Sequence, residues 1–291
     1  MTELQSRGTY TFWYYVPSLG AAVIFLLLFI VLTGLHCWKL FTTRTWFCIS
    51  FTLGGVFEII GYIGRAAAHS NTTAMGPYIV SNMFILLGPT LFAASIYMTL
   101  GRIIRSVKGE HLSVIRISRL TKTFVWGDVL SFVVQGNSSG LSVLGYPLYA
   151  KLCVIVGLVI QLISFAIFWL TAVVFGKRIA RSPTTESCNR DLPWQQSLHM
   201  LYAVSSLVLV RSIFRIIEYV MGNDGYPLQH EWTMYIFDSV PMAIVMLIFY
   251  IWYPNRLQRS AGQSMSISRE FPSPFVLKER DRRTSKVSAE P

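Results

Sequence analysis

Seven long apolar stretches, separated by short polar connections, run along most of the chain. A helix that crosses a membrane needs about 20 mostly apolar residues. Tyrosine and tryptophan cluster at many ends of the stretches, as they do at membrane–water interfaces. The pattern therefore predicts an all-α, polytopic membrane protein with seven transmembrane helices. Their approximate ranges are 18–38, 46–67, 78–101, 123–143, 149–175, 198–221 and 232–252.

The fourth stretch is the weakest, because its apolar centre, "TFVWGDVLSFVV", is short. The distribution of basic residues nevertheless supports it. Lysine and arginine concentrate in the first, third and fifth connections and in the C-terminal tail, whereas the second, fourth and sixth connections have none. The positive-inside rule then places the N-terminus outside and the C-terminus in the cytoplasm. Without the fourth span the basic segments would fall on both faces, so seven spans are favoured over six.

This arrangement divides the chain into an extracellular N-terminal tail (1–17), a seven-helix domain (18–252) and a cytoplasmic tail (253–291). The C-terminal tail is basic, rich in serine and arginine, and has no apolar run, so we expect it to be disordered. Basic residues next to the membrane attract anionic lipids. The basic third loop and this tail are also where a cytosolic regulator could bind.

Three positions are candidates for covalent modification. N-x-[ST] sequons begin at Asn71 and Asn137, and both fall in connections that the charge rule places outside. Ser285, in "RRTS", is a candidate for basic-directed phosphorylation.

Composition narrows the possible functions. The chain is 53% hydrophobic and 13% charged, whereas a soluble domain has about 25% charged residues. The net charge of +11 is spread between apolar stretches and does not indicate a nucleic-acid partner. The four cysteines have no metal-ligand spacing, and no P-loop or H-x-x-x-H pair is present. We therefore predict no metal, no cofactor and no enzymatic activity.

Charged residues interrupt the sixth span in "RSIFRIIEY" (211–219). On a helix, Arg211, Arg215 and Glu218 lie within about 60° of one another. A charge at the centre of a bilayer costs about 2.5–3.5 kcal/mol. This polar stripe must therefore face protein or water.

Other spans carry charged or polar residues that could pair with the stripe. Each of the pairs Glu58–Arg65 and Asp128–Gln135 is seven residues apart and shares a helix face, and Asp238 lies in the last span. Four acids against three arginines nearly balance, as buried charges require. The predicted polar core comprises Glu58, Arg65, Asp128, Gln135, Arg211, Arg215, Glu218 and Asp238.

Two interpretations of this core remain open. It is either an ion-pair network that fixes the register of the helices or a hydrophilic path for a lipid headgroup. An excess acid would suit an amphiphile that carries an amine. Pro89 and Pro241 fall inside spans, where each frees a backbone carbonyl and permits a kink.

Several segments together resemble the fungal lipid-translocating exporters, the seven-span family named for resistance to aminocholesterol. The resemblance covers about residues 14–254. It rests on "YYVPSLGAAVIF", "EIIGYIGR", "LLGPTLFAASIYMTLGRII", "GDVLSFVVQG", "GLVIQLISFAIF" and "RSIFRIIEYVMGNDGYPLQHEWTMYIFDSVPM".

The resemblance implies a plasma-membrane protein that exports sphingoid long-chain bases towards the outer leaflet or protects against toxic lipophiles. Membrane lipids of this kind would be its partners. One branch of the family is linked to porphyrin or haem traffic, which is an alternative. A seven-helix lipid sensor, signalling through its basic third loop and tail, is another.

Overall fold

A computed structural model describes most of the helical part of the chain. The residues that it describes are 18–70, 75–113, 115, 117–143, 146–184, 186–188, 194–222 and 225–253. The predicted N-terminal tail, nearly all of the C-terminal tail, Asn71 and Ser285 lie outside these residues.

Every regular element in the described ranges is a helix, which confirms the all-α prediction. The α-helices are α1 Leu19–Thr43, α2 Ile49–Ser70, α3 Met75–Ser106, α4 Ile117–Val143, α5 Pro147–Arg181, α6 Trp194–Met221, α7 Tyr226–Gln229, α8 Glu231–Met234 and α9 Val240–Ile251. A π-helical turn, Tyr235–Ser239, joins α8 to α9 without a break. We refer to the continuous segment 231–251 as the last helix.

Six of these helices are long and apolar enough to cross a membrane. They are Leu19–Thr43, Trp46–His69, Gly76–Ser106, Leu148–Arg181, Trp194–Met221 and Glu231–Ile251. These six agree with six of the seven predicted spans, and the protein is a multi-pass membrane protein. Helix α4 is also long but is less apolar, because polar residues such as Asp128 and Gln135 interrupt it.

The outward faces of the helices are apolar, as expected of a protein surrounded by lipid. Ile24 and Val31 on α1 are 67% and 59% exposed, and Ile163 on α5 is 54% exposed. The buried charges lie between the helices, within an interior that is otherwise mostly apolar.

Helix α3 lies between α2 on one side and α4 on the other, and it also contacts α6. Glycine lets α2 approach α3 closely: a Cβ atom at Gly61 would lie 2.6 Å from the Ile85 side chain. On another face of α3, Tyr97 packs against the aromatic rings of Phe165 and Phe168 on α5. In this position, α3 separates two parts of the interior.

The prediction that Asn137 lies in a connecting loop was wrong, because α4 continues through it to Val143. Glycine and serine weaken a helix by about 1 kcal/mol per residue or less, but they do not stop it as proline does. The next proline is Pro147, which begins α5. Helix α4 also packs against α5.

Candidate functional site

Two arginines of α6 share one carboxylate of the last helix. Arg211 Nε pairs with Asp238 Oδ1, and Arg215 Nη2 pairs with Asp238 Oδ2. Arg215 Nη1 also donates to Glu218 Oε2 at 3.0 Å. All four side chains are buried, with 1% to 8% of their surface exposed. The polar stripe of α6 therefore faces inward and meets a counter-charge from a neighbouring helix.

A proline in α3 provides a further acceptor for Arg211. Pro89 has no backbone N–H, so the carbonyl four residues earlier, at Ile85, loses its helical hydrogen bond. Arg211 Nη2 donates to this Ile85 oxygen at 3.0 Å. The sequence indicated the free carbonyl, and the structure identifies Arg211 as its donor.

The position of Asp238 depends on a second proline. Pro241 cannot donate to the carbonyl of Phe237, and its ring would clash with that carbonyl in a regular α-helix. The turn Tyr235–Ser239 widens into a π-helix, in which the Val240 N–H donates to Tyr235 O. Such turns inside α-helices are frequently found at functional sites. Here the π-turn carries the carboxylate that binds both arginines.

Glu58 of α2 lies beside these residues but has no ion pair among the described residues. Its side chain is 1% exposed, and no described residue donates a hydrogen bond to its Oε1 atom. The carboxyl lies against Gly88 of α3, where a Cβ atom would come within 2.7 Å of Oε1. Asp238, Arg211 and Arg215 are near enough for their charges to act on it.

We call these five residues the central cluster. It contains three carboxyl groups and two guanidinium groups. Its members are Glu58, Arg211, Arg215, Glu218 and Asp238.

The structure separates two predicted core residues from the central cluster. Asp128 and Gln135 lie on α4, with Ser131 between them, and we call these three the α4 polar row. Tyr97 of α3 donates a hydrogen bond to Asp128 Oδ2 at 2.9 Å. Gln135 Nε2 donates to Ser131 Oγ at 2.7 Å, and Ser131 Oγ donates to Gly157 O at 2.5 Å.

Helical geometry explains the separation. Gly88, which touches Glu58, and Tyr97, which binds Asp128, are nine residues apart on α3. Nine residues turn a helix by about 180° and advance it by about 13.5 Å. The two polar sets therefore lie on opposite faces of α3, and the expectation of a single network was wrong for Asp128 and Gln135.

Arg65 has a different partner from those predicted. Its Nη2 atom pairs with Glu231 Oε1 at 2.9 Å, and its Nε donates to the hydroxyl of Tyr235 at 3.2 Å. The backbone N–H of Ser18, at the start of α1, donates to the same Glu231 carboxylate. Glu231 was missed, although it lies seven residues before Asp238 and so on the same helix face.

A layer of aromatic rings lies between this bridge and the central cluster. Phe25 of α1 stacks on Tyr62 and on Tyr235, with ring centroids 5.9 and 5.0 Å apart. The hydroxyls of Tyr62 and Ser239 share a hydrogen bond. Tyr62 lies between Glu58 and Arg65 along α2, so the layer separates the two ionic sites.

Of the other candidates, Asn137 lies inside a helix, and Asn71 and Ser285 lie outside the described residues. Over the part of the chain that the structure covers, no three His, Cys, Asp or Glu side chains could together hold a metal ion.

Comparison with known proteins places this arrangement in a family. Residues 51–261 match the family model described as "RTA1 like protein". Protein RTM1 of Saccharomyces cerevisiae is 31% identical over 86% of this chain and 94% of its own length. Protoporphyrin uptake protein 1 of the same yeast is 32% identical over 83% and 91%.

The sphingoid long-chain base transporter RSB1 of Saccharomyces cerevisiae is 27% identical over 91% of this chain and 79% of its own length. No solved structure matches the chain. The matched segment, residues 51–261, contains every residue of the central cluster and of the α4 polar row. The chain belongs to the RTA1-like family.

Proposed function

We propose that this protein is a seven-helix translocator of amphiphilic lipids that carry an amine, such as sphingoid long-chain bases. It would act in the plasma membrane and contribute to resistance against toxic lipophiles. One relative is named as a sphingoid long-chain base transporter. The observation that carries the proposal is the carboxyl of Glu58, which has no ion pair with any residue that the structure describes and lies beside an otherwise balanced ionic cluster.

The burial pattern of α4 supports seven spans. Its polar row is buried, whereas Trp126, Leu130 and Val133 on its opposite face are 70%, 55% and 53% exposed. The six apolar helices likewise expose apolar side chains, such as Ile24 on α1 and Ile163 on α5. With α4 as a span, the basic connections share one face, and the C-terminus is cytoplasmic by the positive-inside rule.

The three acids of the central cluster differ in their arginine partners, and we infer different roles for them. Asp238 is bound by two arginines, and Glu218 is bound by Arg215. Within the described part of the chain, Glu58 is the one acid of the three without an ion pair, so it is the group that a cationic headgroup would engage. The arginines hold Asp238 and Glu218 in place, while the hydrocarbon chain of the lipid stays in the bilayer.

The experiment that tests this proposal measures flux in vesicles that contain the purified protein alone. A labelled sphingoid base in the inner leaflet should appear in the outer leaflet faster than in protein-free vesicles. Glu58→Gln should lower this rate at least tenfold, because an uncharged amide cannot neutralise an ammonium ion.

Glu186→Gln is the matched control, since Glu186 is an acid of the exposed pair with Lys108. That variant should keep the wild-type rate. Normal flux in a folded Glu58→Gln protein would remove this carboxyl from the mechanism. The absence of any protein-dependent flux would contradict the translocator itself.

A specific observation favours porphyrin as a second candidate substrate. The relative named protoporphyrin uptake protein 1 is more similar in sequence, at 32% identity, than the sphingoid-base transporter. Porphyrin carboxylates would need arginine partners, and both arginines of the central cluster already have carboxylate partners. Competition in the vesicle assay decides: protoporphyrin that is itself carried should slow the movement of the sphingoid base.

A further inference from the structure

Glu58 differs from every other carboxyl of the central cluster in what surrounds it. No arginine or lysine pairs with it among the described residues, and its Oε1 atom is buried without a donor. Leaving a charged carboxylate unpaired in a low-dielectric interior costs several kcal/mol. A proton on Glu58 removes this cost.

The groups that face Glu58 support this protonated state. Asp238 on the last helix repels a second negative charge, while Arg211 and Arg215 on α6 attract it. Both arginines are already bound to Asp238, and Arg215 also binds Glu218. Helix α3 presents Gly88, which has no side chain, and α2 presents the neutral hydroxyl of Tyr62.

We propose that the protein exchanges a proton for each amine that it moves, with Glu58 as the exchange group. This inference rests on the proposed function. An ammonium headgroup forms an ion pair with Glu58 and displaces the carboxyl proton, which leaves to water. The charge of the site is the same before and after, so neither state leaves an unpaired charge buried.

Exchange of this kind makes transport depend on a pH gradient. The amine binds from one side and releases a proton there, and it can leave on the other side only when Glu58 regains a proton from that side. Amine and proton therefore move in opposite directions. With one proton per amine, each unit of pH difference changes the equilibrium ratio of amine about tenfold, in favour of the acidic side.

Calorimetry on the purified protein in detergent tests the exchange directly. A short-chain, water-soluble sphingoid base, which is protonated at neutral pH like a lysine side chain, is titrated in buffers of different ionisation enthalpy. The slope of the binding heat against that enthalpy gives the number of protons released. Wild-type protein and Glu186→Gln should release about one proton per amine.

Glu58→Gln should release no proton, because the amide has no acidic proton to exchange. It should also bind the same amine at least tenfold more weakly, because the amide has no negative charge to pair with the ammonium group. Binding to the wild-type protein without proton release would overturn the exchange while the translocator stands. This wild-type measurement decides the point even where the variant does not fold. Failure of the wild-type protein to bind the amine would overturn both proposals.

Vesicles supply an independent test with a quaternary ammonium analogue of the sphingoid base. A neutral amine can cross a bilayer unaided and collect on the acidic side, whereas a quaternary amine has no proton to lose. Its accumulation on the acidic side of wild-type vesicles would therefore come from a proton carried by the protein. The inference fails if the final ratio of this analogue ignores the pH gradient.

Discussion

The central cluster and the α4 polar row lie on opposite faces of the same helix and solve the problem of burial differently. In the central cluster, charges from α6 and the last helix neutralise one another. In the α4 polar row, neutral hydrogen bonds link Ser131, Gln135 and a backbone carbonyl, and Asp128 accepts from Tyr97. Buried polarity alone therefore does not identify an ionic site.

The backbone differs between the two regions as well. Around the central cluster, Pro89 frees a carbonyl, Gly88 leaves room for a carboxyl, and Pro241 accompanies a π-helical turn. The α4 polar row lies on an uninterrupted α-helix. Irregular backbone is tolerated in a membrane interior only where other groups satisfy it. In this protein the irregular backbone lies on the side of α3 that faces the central cluster, and this favours that side as the functional one.

Removal of the shared carboxylate should have the largest effect on this comparison. In Asp238→Ala, two buried guanidinium groups lose their common partner, which costs about 3–5 kcal/mol when one side of a buried pair is removed. We expect thermal unfolding in detergent at a much lower temperature, or no folded protein.

The matched control for Asp238 is Glu186→Ala, which breaks the exposed pair with Lys108. Exposed pairs contribute about 0–1 kcal/mol, so its unfolding temperature should hardly change. If Asp238→Ala were as mild as this control, the ionic network would not hold the helices together.

Filling the space beside Glu58 should have the next largest effect. The added methyl group of Gly88→Ala would lie 2.7 Å from Glu58 Oε1 and 3.0 Å from its Cδ. Overpacking of this kind costs about 1–3 kcal/mol, and it should also move the carboxyl away from its position. We expect a slower flux of the sphingoid base and a moderate loss of thermal stability.

Gly76→Ala is the control for Gly88, because a Cβ atom there meets no atom of the described residues within 4 Å. It should leave both flux and stability unchanged. Equal behaviour of the two alanine variants would mean that the close contact between Gly88 and Glu58 has no role.

Much of this fold follows from sequence periodicity, because apolar length and the placement of basic residues identify a span without knowledge of its neighbours. The inward direction of Arg211, Arg215 and Glu218 also follows, since a shared face and the cost of charge in lipid leave no other choice. Pairing between helices is different. It depends on which faces meet, and a seven-residue spacing defines a face without identifying its partner.

Arg65 and Asp128 illustrate that limit. Both were expected in one network with Arg211. Instead, α2 packs against the last helix so that Arg65 pairs with Glu231, and α3 lies between Asp128 and the central cluster. The free carbonyl of Ile85 could be read from Pro89 alone. Its donor could not, because Arg211 lies 126 residues away in the chain.

The smallest effect is expected from Asp128→Asn, and it tests whether α3 truly divides the interior. Asparagine has the same shape as the acid, and its carbonyl oxygen can still accept from the Tyr97 hydroxyl. A typical hydrogen bond contributes about 0.5–1.5 kcal/mol, and this one is kept, so stability should change by less than that. Flux of the sphingoid base should stay within about twofold of wild type, since Asp128 faces away from Glu58.

If the folded Asp128→Asn protein instead lost transport as fully as Glu58→Gln, both acids would lie on one route. The headgroup would then have to pass around α3, and α3 would have to move during transport to connect the two polar regions.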